Sequence, residues 1–316
     1  MKFDNRFFLI IVIAIITYAA FLIFSDFSKI IGSINNFQIE YLPIILILLP
    51  ISWFFLYLRW QFLLKNTGAI FSHRMNFQIF LTGFVLGVTP GKVGELLKSQ
   101  LLKDNFNIPR KTTAPLILLE RFYNAVGLLI ISFFGILFFD FSTLVLLITG
   151  IFLIFVFVTL RSKTLFSRFL QYVSKIGFLT KYSISLKDSY EIIETSTKPK
   201  IFLISSTLSA IYWIIESISV YFILLSFGIN IIDFITIIPI YATSMILGVV
   251  SFIPGGLVVT EGTLAVLLNL HGIEISLAMS AVIIIRIFTL WYPVIVGFFA
   301  LKSTGAFKIN SETIDD

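Results

Sequence analysis

The sequence predicts an all-α polytopic membrane protein with about six full spans and two re-entrant helical hairpins, about eight helical elements in an inverted-topology repeat. Composition predicts the class: 58% of the 316 residues are hydrophobic and 13% are charged, whereas soluble domains carry about a quarter charged residues. The second observation is the length of the apolar runs. The third is the clustering of Lys and Arg between them, which orients the spans.

Full spans come first, because a helix needs roughly 20 apolar residues to cross a bilayer. The N-terminal run is interpreted as a retained helix, since the apolar region of a cleaved signal is only about 7–15 residues long. The predicted spans are Phe7–Phe24, Leu42–Leu64, Thr113–Phe139, Phe141–Leu160, Ile201–Phe227 and Ile275–Leu301.

Two further apolar regions are interrupted by Pro-Gly, and each contains an arm too short to cross, since about 12 helical residues cover about 18 Å. Each region is therefore predicted to be a re-entrant hairpin. The first runs Asn76–Thr89, Pro90-Gly91, Val93–Leu102, and the second runs Phe234–Ile253, Pro254-Gly255-Gly256, Thr260–Leu270.

Charge orients these elements. The segment Arg161–Lys200 carries eight Lys or Arg and three acids, so the positive-inside rule places it in the cytoplasm. Both termini are then cytoplasmic, the first hairpin enters from the cytoplasm and the second from outside, and the protein is integral to the cell (plasma) membrane. The segment itself either lies on the inner leaflet or is a solvated linker.

The chain is predicted to form a single transmembrane domain over residues 1–316. Repeat one covers 1–140 and repeat two covers 141–302, with a cytoplasmic linker at 161–200 and a tail at 303–316. "TPGKVGELLKSQLL" aligns loosely with "IPGGLVVTEGTLAVLL". Glu95 precedes Arg121 by 26 positions and Glu261 precedes Arg286 by 25.

Ionisable side chains in lipid are costly unless they are paired or hydrated, and irregular backbone at depth is tolerated inside protein or beside a cavity. We expect Glu95 to pair with Arg121 and Glu261 with Arg286 within each repeat, or the partners to be exchanged between the two repeats. A Glu at a helix start is also stabilised by the helix dipole, and an Arg near a span end also snorkels; Arg59-Trp60 is interpreted as such an interfacial anchor. The predicted substrate-binding residues are Lys92, Glu95, Glu120, Arg121, Glu216, Glu261 and Arg286, and the hairpin tips are Pro90, Gly91, Gly94, Pro254, Gly255 and Gly256.

Several other site types are not expected. The chain has no Cys, and His73 and His271 stand without ligand spacing, so no metal or other cofactor is predicted. "GVTPGK" is not a phosphate loop, because Leu86 stands where that motif needs Gly and Val93 follows the Lys. The net charge of +6 fits cytoplasmic loops, and no nucleic-acid partner is expected.

Four motifs resemble the lysylphosphatidylglycerol synthase transmembrane-region family, also called flippase-like: "PGKVGELLKSQLL", "ERFYNAVGLL", "PGGLVVTEGTLAVLL" and "RIFTLWYPVIVGFFAL". Asn124 and Val258 depart from the family pattern, which has an acid and a Gly there. The resemblance implies a lipid-translocating module. Some relatives fuse it to an aminoacyltransferase or glycosyltransferase, but this chain has no soluble stretch of that size, so it is not expected to be an enzyme.

The leading hypothesis is therefore translocation of an anionic or lipid-linked headgroup between leaflets, with a membrane lipid as substrate. Secondary transport of a small solute is the alternative. A non-catalytic scaffold is a further alternative, and an intramembrane enzyme ranks lowest because no nucleophile or metal set is evident. A homo-oligomer and a separate lipid-modifying enzyme are compatible partners.

Overall fold

The computed structural model describes residues 32, 37–87, 96–133, 140–175, 189–251 and 253–304, and every regular element in these ranges is helical. Three short 3-10 segments occur at Ile39–Tyr41, Gly83–Leu86 and Pro254–Gly256, and a π-helical turn at Ile287–Trp291. The helices are α1 (Leu42–Lys65), α2 (His73–Thr82), α3 (Leu97–Phe106), α4 (Arg110–Ser132), α5 (Asp140–Arg161), α6 (Lys163–Ser174), α7 (Tyr190–Ser196), α8 (Pro199–Ser226), α9 (Phe234–Val250), α10 (Val259–Leu270), α11 (Ile275–Arg286) and α12 (Tyr292–Ser303).

Helices long and apolar enough to cross a membrane confirm the predicted class. Within the described ranges there are four: Ile39–Lys65, Arg110–Ser132, Pro199–Ser226 and Ile275–Ser303. A fifth arises if the bent pair Leu147–Arg161 and Lys163–Tyr172, which turns by 104°, is one span. The predicted span Phe7–Phe24 lies outside the described residues.

The second predicted hairpin region forms two helices with a break between them. Asp233 directly precedes helix α9, and its carboxylate accepts a 2.7 Å hydrogen bond from the backbone N–H of Thr236 and so caps the helix. The chain then turns at Gly255 and Gly256, whose φ angles of 63° and 65° favour glycine. Helix α10 follows and packs against both α9 and α11. In the first region, α2 and α3 are present, whereas residues 88–95 between them lie outside the described part of the chain.

Helix α8 is the central element and packs along α1, α4 and α9. Its approach to α4 depends on Gly127, because a Cβ there would lie 2.7 Å from the Cβ of Ser209. Small residues allow such close approach between helices in membranes.

Two apolar cores lie at opposite ends of the bundle. On α1, Ile45, Leu49 and Trp53 belong to one core, while Leu56 and the residues towards its C-terminus belong to the other. Helices α4 and α8 also contribute to both cores, in the reverse order along the chain. The change lies between Trp53 and Leu56 on α1 and between Val126 and Leu128 on α4.

The arms of the two interrupted regions make reciprocal contacts. Helix α2 and the 3-10 segment after it pack against α12, and α9 packs against α4. The first arm of each region therefore contacts the long helix that follows the other region. The α12 contact is close, because a Cβ on Gly297 would lie 2.7 Å from the carbonyl oxygen of Leu81.

Candidate functional site

A cavity of about 80 Å³ lies where the two cores meet. Four long helical segments and the α2/α3 region enclose it. The segments are α1, α4, α8 and the span from α11 to α12. The lining side chains are mixed, with basic, acidic, amide, aromatic and aliphatic groups: Trp53, Leu56, Arg59, Phe80, Gly83, Phe84, Gly87, Lys98, Glu120, Arg121, Asn124, Tyr212, Trp213, Thr289, Leu290, Pro293 and Val294.

The cavity lies at the midpoint of each membrane-capable helix. Arg121 is the middle residue of Arg110–Ser132, and Thr289 is the middle residue of Ile275–Ser303. Tyr212 and Trp213 flank the centre of Pro199–Ser226, and Trp53 is next to the centre of Ile39–Lys65. If these helices cross a bilayer, their shared midpoint lies at the depth where charged groups are most costly and most often functional.

The helix from α11 to α12 is irregular where it meets the cavity. Residues Ile287–Trp291 form a π-helical turn, which places Thr289 and Leu290 in the cavity wall. Single π turns inside α-helices occur frequently at functional sites. The irregularity here coincides with the polar lining.

Glu120 is the acidic centre of a buried ionic cluster in the cavity wall. The ammonium nitrogen of Lys98 lies 2.5 Å from its Oε2, and Nη2 of Arg59 lies 3.6 Å from its Oε1. Nη1 of Arg59 also donates hydrogen bonds of 2.5 Å to Asn124 Oδ1 and 2.6 Å to Ser209 Oγ. One guanidinium thus joins α1, α4 and α8, with geometry a single ammonium cannot reproduce.

Lys98 is held in an aromatic cradle. Its side chain is 2% exposed, and its ammonium nitrogen lies 4.4 Å from the ring centroid of Trp60 and 5.5 Å from that of Phe80. These distances suit cation–π attraction. The methylene stem passes over Gly83, where a Cβ would meet Lys98 Cδ at 3.0 Å. The glycine therefore leaves the space that the lysine occupies.

Among the lining residues in the described ranges, three are basic (Arg59, Lys98 and Arg121) and one, Glu120, is acidic. Guanidinium and ammonium groups form charge-assisted hydrogen bonds with phosphate and carboxylate oxygens, and a low local dielectric strengthens them. The cavity is therefore suited chemically to a small anionic group.

A second buried ion pair lies at the turn between α9 and α10. Arg286 Nε donates a 2.6 Å hydrogen bond to Glu261 Oε1, and Arg286 Nη2 donates one of 2.5 Å to the carbonyl oxygen of Gly255. The guanidinium therefore ties α11 both to α10 and to the turn. Oε2 of Glu261 is buried and has no hydrogen-bond partner among the described residues.

Glu216 lies between the cavity and this second pair. It is 2% exposed. Its carboxylate is close to the side chains of Tyr212, which lines the cavity, and of Tyr241. Tyr241 is in turn close to Thr289 and Arg286. Polar side chains thus run from the cavity to the α9/α10 turn.

The structure groups some of the sequence-predicted residues and separates others. Glu120 and Arg121 line the cavity, and the expected pair of Glu261 with Arg286 is present near Gly255. Glu216, also predicted to bind substrate, is buried beside the cavity and is not part of its lining. Gly256 is buried at the turn, where a Cβ would lie 2.6 Å from Thr260 Oγ1, and Pro254 belongs to the same turn. The remaining predicted positions lie outside the described residues: Pro90, Gly91, Lys92, Gly94 and Glu95.

The interpretation of Arg59 as an interfacial anchor is wrong. Its side chain is 1% exposed and lies in the cavity. The pattern that misled is Arg-Trp near the end of an apolar run, which is typical of interfaces. The better signal is that Arg59 lies six residues before the end of α1 at Lys65, about 9 Å along the helix.

Sequence reasoning also missed Lys98 and Asn124 as site residues. Lys98 occurs among Leu96, Leu97, Leu101 and Leu102, so an unusually apolar setting for a lysine was the available signal. Asn124 was noted only as a departure from the family pattern. Its side-chain oxygen accepts from Arg59 and its backbone carbonyl accepts a 3.0 Å hydrogen bond from Trp213 Nε1.

The sequence is similar to that of a known family of membrane proteins. The sequence model described as "Lysylphosphatidylglycerol synthase TM region" matches residues 9–297. The chain belongs to this family. It is 24% identical to the UPF0104 membrane protein PH1989 of Pyrococcus horikoshii, over 92% of this chain and 95% of that protein. A UPF0104 membrane protein of Methanothermobacter thermautotrophicus is 26% identical over 34% of this chain and 31% of its own length. No solved structure matches the chain.

The family match agrees with the resemblance drawn from the four motifs, since all of them fall within or overlap residues 9–297. Together with the four apolar helices, it identifies an integral membrane protein of the lysylphosphatidylglycerol synthase transmembrane-region family. The names of the two relatives state only that they are membrane proteins.

Proposed function

We propose that this protein moves lipids with an anionic phosphate headgroup between the leaflets of the cell membrane. The observation that carries the proposal is the basic cavity at the common midpoint of four apolar helices. A headgroup that crosses a bilayer needs polar partners at that depth, because transfer of a charge into hydrocarbon is costly. The family name, which refers to the synthase of a phosphate-bearing lipid, agrees with this substrate class.

The cationic lining supplies the recognition. Arg121 carries a guanidinium group of the kind that binds two phosphate oxygens at once, and Arg59 and Lys98 add positive charge. Glu120 holds Lys98 and Arg59 in the cavity wall. The acyl chains would remain in the bilayer beside the helices, so only the headgroup requires the small cavity. The proposed cycle includes no covalent chemistry and treats the protein as a transporter, not an enzyme.

The proposal includes an inverted-topology repeat, with α2/α3 and α9/α10 as re-entrant hairpins and both termini in the cytoplasm. Its support is the reciprocal packing of α2 on α12 and of α9 on α4. Corresponding ion pairs add to it: Lys98 with Glu120 and Glu261 with Arg286 each join the second arm of a hairpin to the next span. Substrate sites formed by broken helices at a repeat interface are typical of such transporters.

The hairpin assignment can be tested with single-cysteine variants, because the chain has no cysteine of its own. Ile253→Cys probes the turn between α9 and α10, Asn230→Cys probes the loop before α9, and Lys198→Cys probes the segment before α8. A membrane-impermeant maleimide should label Asn230→Cys from outside and Lys198→Cys from inside. Labelling of Ile253→Cys from the inside as fully as Lys198→Cys would show that α9 is a full span and overturn the hairpin.

The transport test uses purified protein in liposomes with fluorescent phosphatidylglycerol, and a fluorescent diacylglycerol as the uncharged comparison. Wild-type protein should accelerate exchange of the anionic lipid between leaflets. Lys98→Gln and Arg121→Gln should slow it several-fold, whereas Arg74→Gln, which removes an exposed charge, should leave it unchanged. Equal rates in folded cavity variants and wild type would contradict the site assignment, and no exchange by wild type would contradict lipid transport.

Secondary transport of a small soluble anion is a second candidate, because a cavity of about 80 Å³ also suits a free anion. The same liposomes separate the two functions. Uptake of labelled inorganic phosphate without lipid exchange would favour the solute carrier. Lipid exchange without phosphate uptake would favour the flippase.

A further inference from the structure

Helix α6 leaves the bundle at a sharp angle. Only Ser162 separates it from α5, and the axes of Leu147–Arg161 and Lys163–Tyr172 differ by 104°. The apolar side chains of α5, such as Ile151 and Phe155, are exposed and suit contact with lipid. If α5 is a spanning helix, α6 therefore lies close to the membrane plane.

One side of α6 is fixed to the protein. Phe166 and Leu170 are buried in the core that contains Leu56, and the ring of Phe166 lies 5.2 Å from that of Tyr190 on α7. The hydroxyl of Tyr190 donates a 3.1 Å hydrogen bond to the carbonyl oxygen of Arg161. These contacts hold the start of α6 against α7, so its orientation is defined.

Next to that buried side is an apolar stripe that the described residues leave open. Leu165, Phe169 and Tyr172 are 39%, 51% and 69% exposed. Their spacing of four and then three residues places them on one helix face. Three large apolar side chains at a helical spacing favour a face that enters an apolar phase.

Basic side chains adjoin the open stripe. Arg168 and Lys175 share the next face with the polar Thr164 and Gln171, at the same helical spacing, and both are exposed. From Arg161 to Lys175 the sequence has four Lys or Arg and no Asp or Glu. An apolar face beside a basic face is typical of helices that lie in the headgroup region of an anionic leaflet.

We infer that α6 is a membrane-surface helix that binds anionic phospholipid. Leu165, Phe169 and Tyr172 enter the acyl boundary, and Arg168 and Lys175 contact the headgroup phosphates. The inference is independent of the proposed transport, since α6 contributes no residue to the described cavity lining. It selects the inner-leaflet alternative over the solvated linker for this part of Arg161–Lys200.

The test places an environment-sensitive fluorophore on single-cysteine variants of the full chain. Phe169→Cys reports the open stripe and Gln171→Cys reports the polar face. The proteins are reconstituted in phosphatidylcholine nanodiscs with or without phosphatidylglycerol, and lipids that carry a quencher in the acyl chain close to the glycerol report contact. Phe169→Cys should be quenched much more strongly than Gln171→Cys. Equal quenching, or none, would overturn the membrane-surface position, and proximity of two labels at 169 would assign the face to a second copy of the chain.

Headgroup selectivity is tested with the quencher carried either by phosphatidylglycerol or by phosphatidylcholine. The label at Phe169→Cys should respond more strongly to phosphatidylglycerol. Substitution of both Arg168 and Lys175 by Gln should remove that preference, with about a fivefold loss of affinity for each charge. A matched double substitution of exposed charges elsewhere, Arg74→Gln and Lys103→Gln, should keep it. Equal responses in the wild-type background would overturn the anionic preference.

Discussion

Arg59 on α1 donates a 2.6 Å hydrogen bond to Ser209 on α8, 150 positions later in the chain. The same guanidinium reaches Asn124 and Glu120 on α4. This one side chain therefore joins three of the four membrane-capable helices at the cavity. Because guanidinium nitrogens are fixed in a plane, their positions also fix the relative rotation of the three helices.

Replacement of Arg59 by Lys should keep the charge and lose this junction. An ammonium cannot reach Ser209, Asn124 and Glu120 together, and hydrogen bonds to charged groups contribute about 1.5–3 kcal/mol each. Arg59→Lys should therefore lower the thermal midpoint in detergent and slow lipid exchange. Arg74→Lys, at an exposed position of α2, is the matched control. Equal midpoints for the two variants would show that the hydrogen bonds of Arg59 do not contribute to the stability of the fold.

Lys98 and Glu120 should be strongly coupled. Removal of one partner of a buried ion pair leaves an uncompensated charge and costs about 3–5 kcal/mol. Glu120→Gln should therefore be severely destabilising, and the double variant Lys98→Met, Glu120→Gln should lose less than the sum of the two single variants. A double-mutant cycle on the free energy of unfolding measures this coupling. Additive losses would contradict the pair as an energetic unit.

The sequence predicted the helical class and the ion pair of Glu261 with Arg286, but it did not predict all the residues that line the cavity. The pair Glu261–Arg286 was predictable because both residues interrupt long apolar runs and Glu261 follows shortly after a Pro-Gly break. Arg59 was misassigned because burial of an arginine depends on distant partners, here Asn124 and Ser209, that local patterns do not reveal. Lys98 required knowledge that Gly83 and Trp60 create a cradle for its side chain. Tertiary packing, and not helix propensity, decides these contacts.

Arg286 should control the order of the turn between α9 and α10. Arg286→Lys keeps a positive charge for Glu261 and removes the second hydrogen bond, to the carbonyl oxygen of Gly255. The fold should persist, while hydrogen exchange at residues 255–258 should become faster by mass spectrometry. Val258, with φ of 71°, adds to this expectation because a β-branched residue in that region is strained. Arg110→Lys, at an exposed helix start, is the control. Unchanged exchange in Arg286→Lys would show that the turn holds without the guanidinium.

Substitution of Gly by Ala should have opposite effects at Gly297, in the contact between α12 and α2, and at Gly262 on α10. At Gly297 a Cβ would lie 2.7 Å from the carbonyl oxygen of Leu81 and 2.9 Å from the amide nitrogen of Val85. Backbone atoms cannot rotate away, so Gly297→Ala must separate the helices and should destabilise by about 1–3 kcal/mol. At Gly262 on α10 a Cβ would meet nothing within 4 Å, so Gly262→Ala should stabilise by up to about 1 kcal/mol through helix propensity.

Thermal midpoints of the two variants in one detergent decide between them. Gly297→Ala should fall below wild type, and Gly262→Ala should equal or exceed it. Lipid exchange tests the same contact in a second way, because separation of α12 from α2 also moves Pro293 and Val294 away from the cavity that they line. Folded Gly297→Ala should therefore lose exchange, whereas Gly262→Ala should retain it. A Gly297→Ala midpoint equal to wild type would mean that α12 and α2 are farther apart in the membrane than the structure places them.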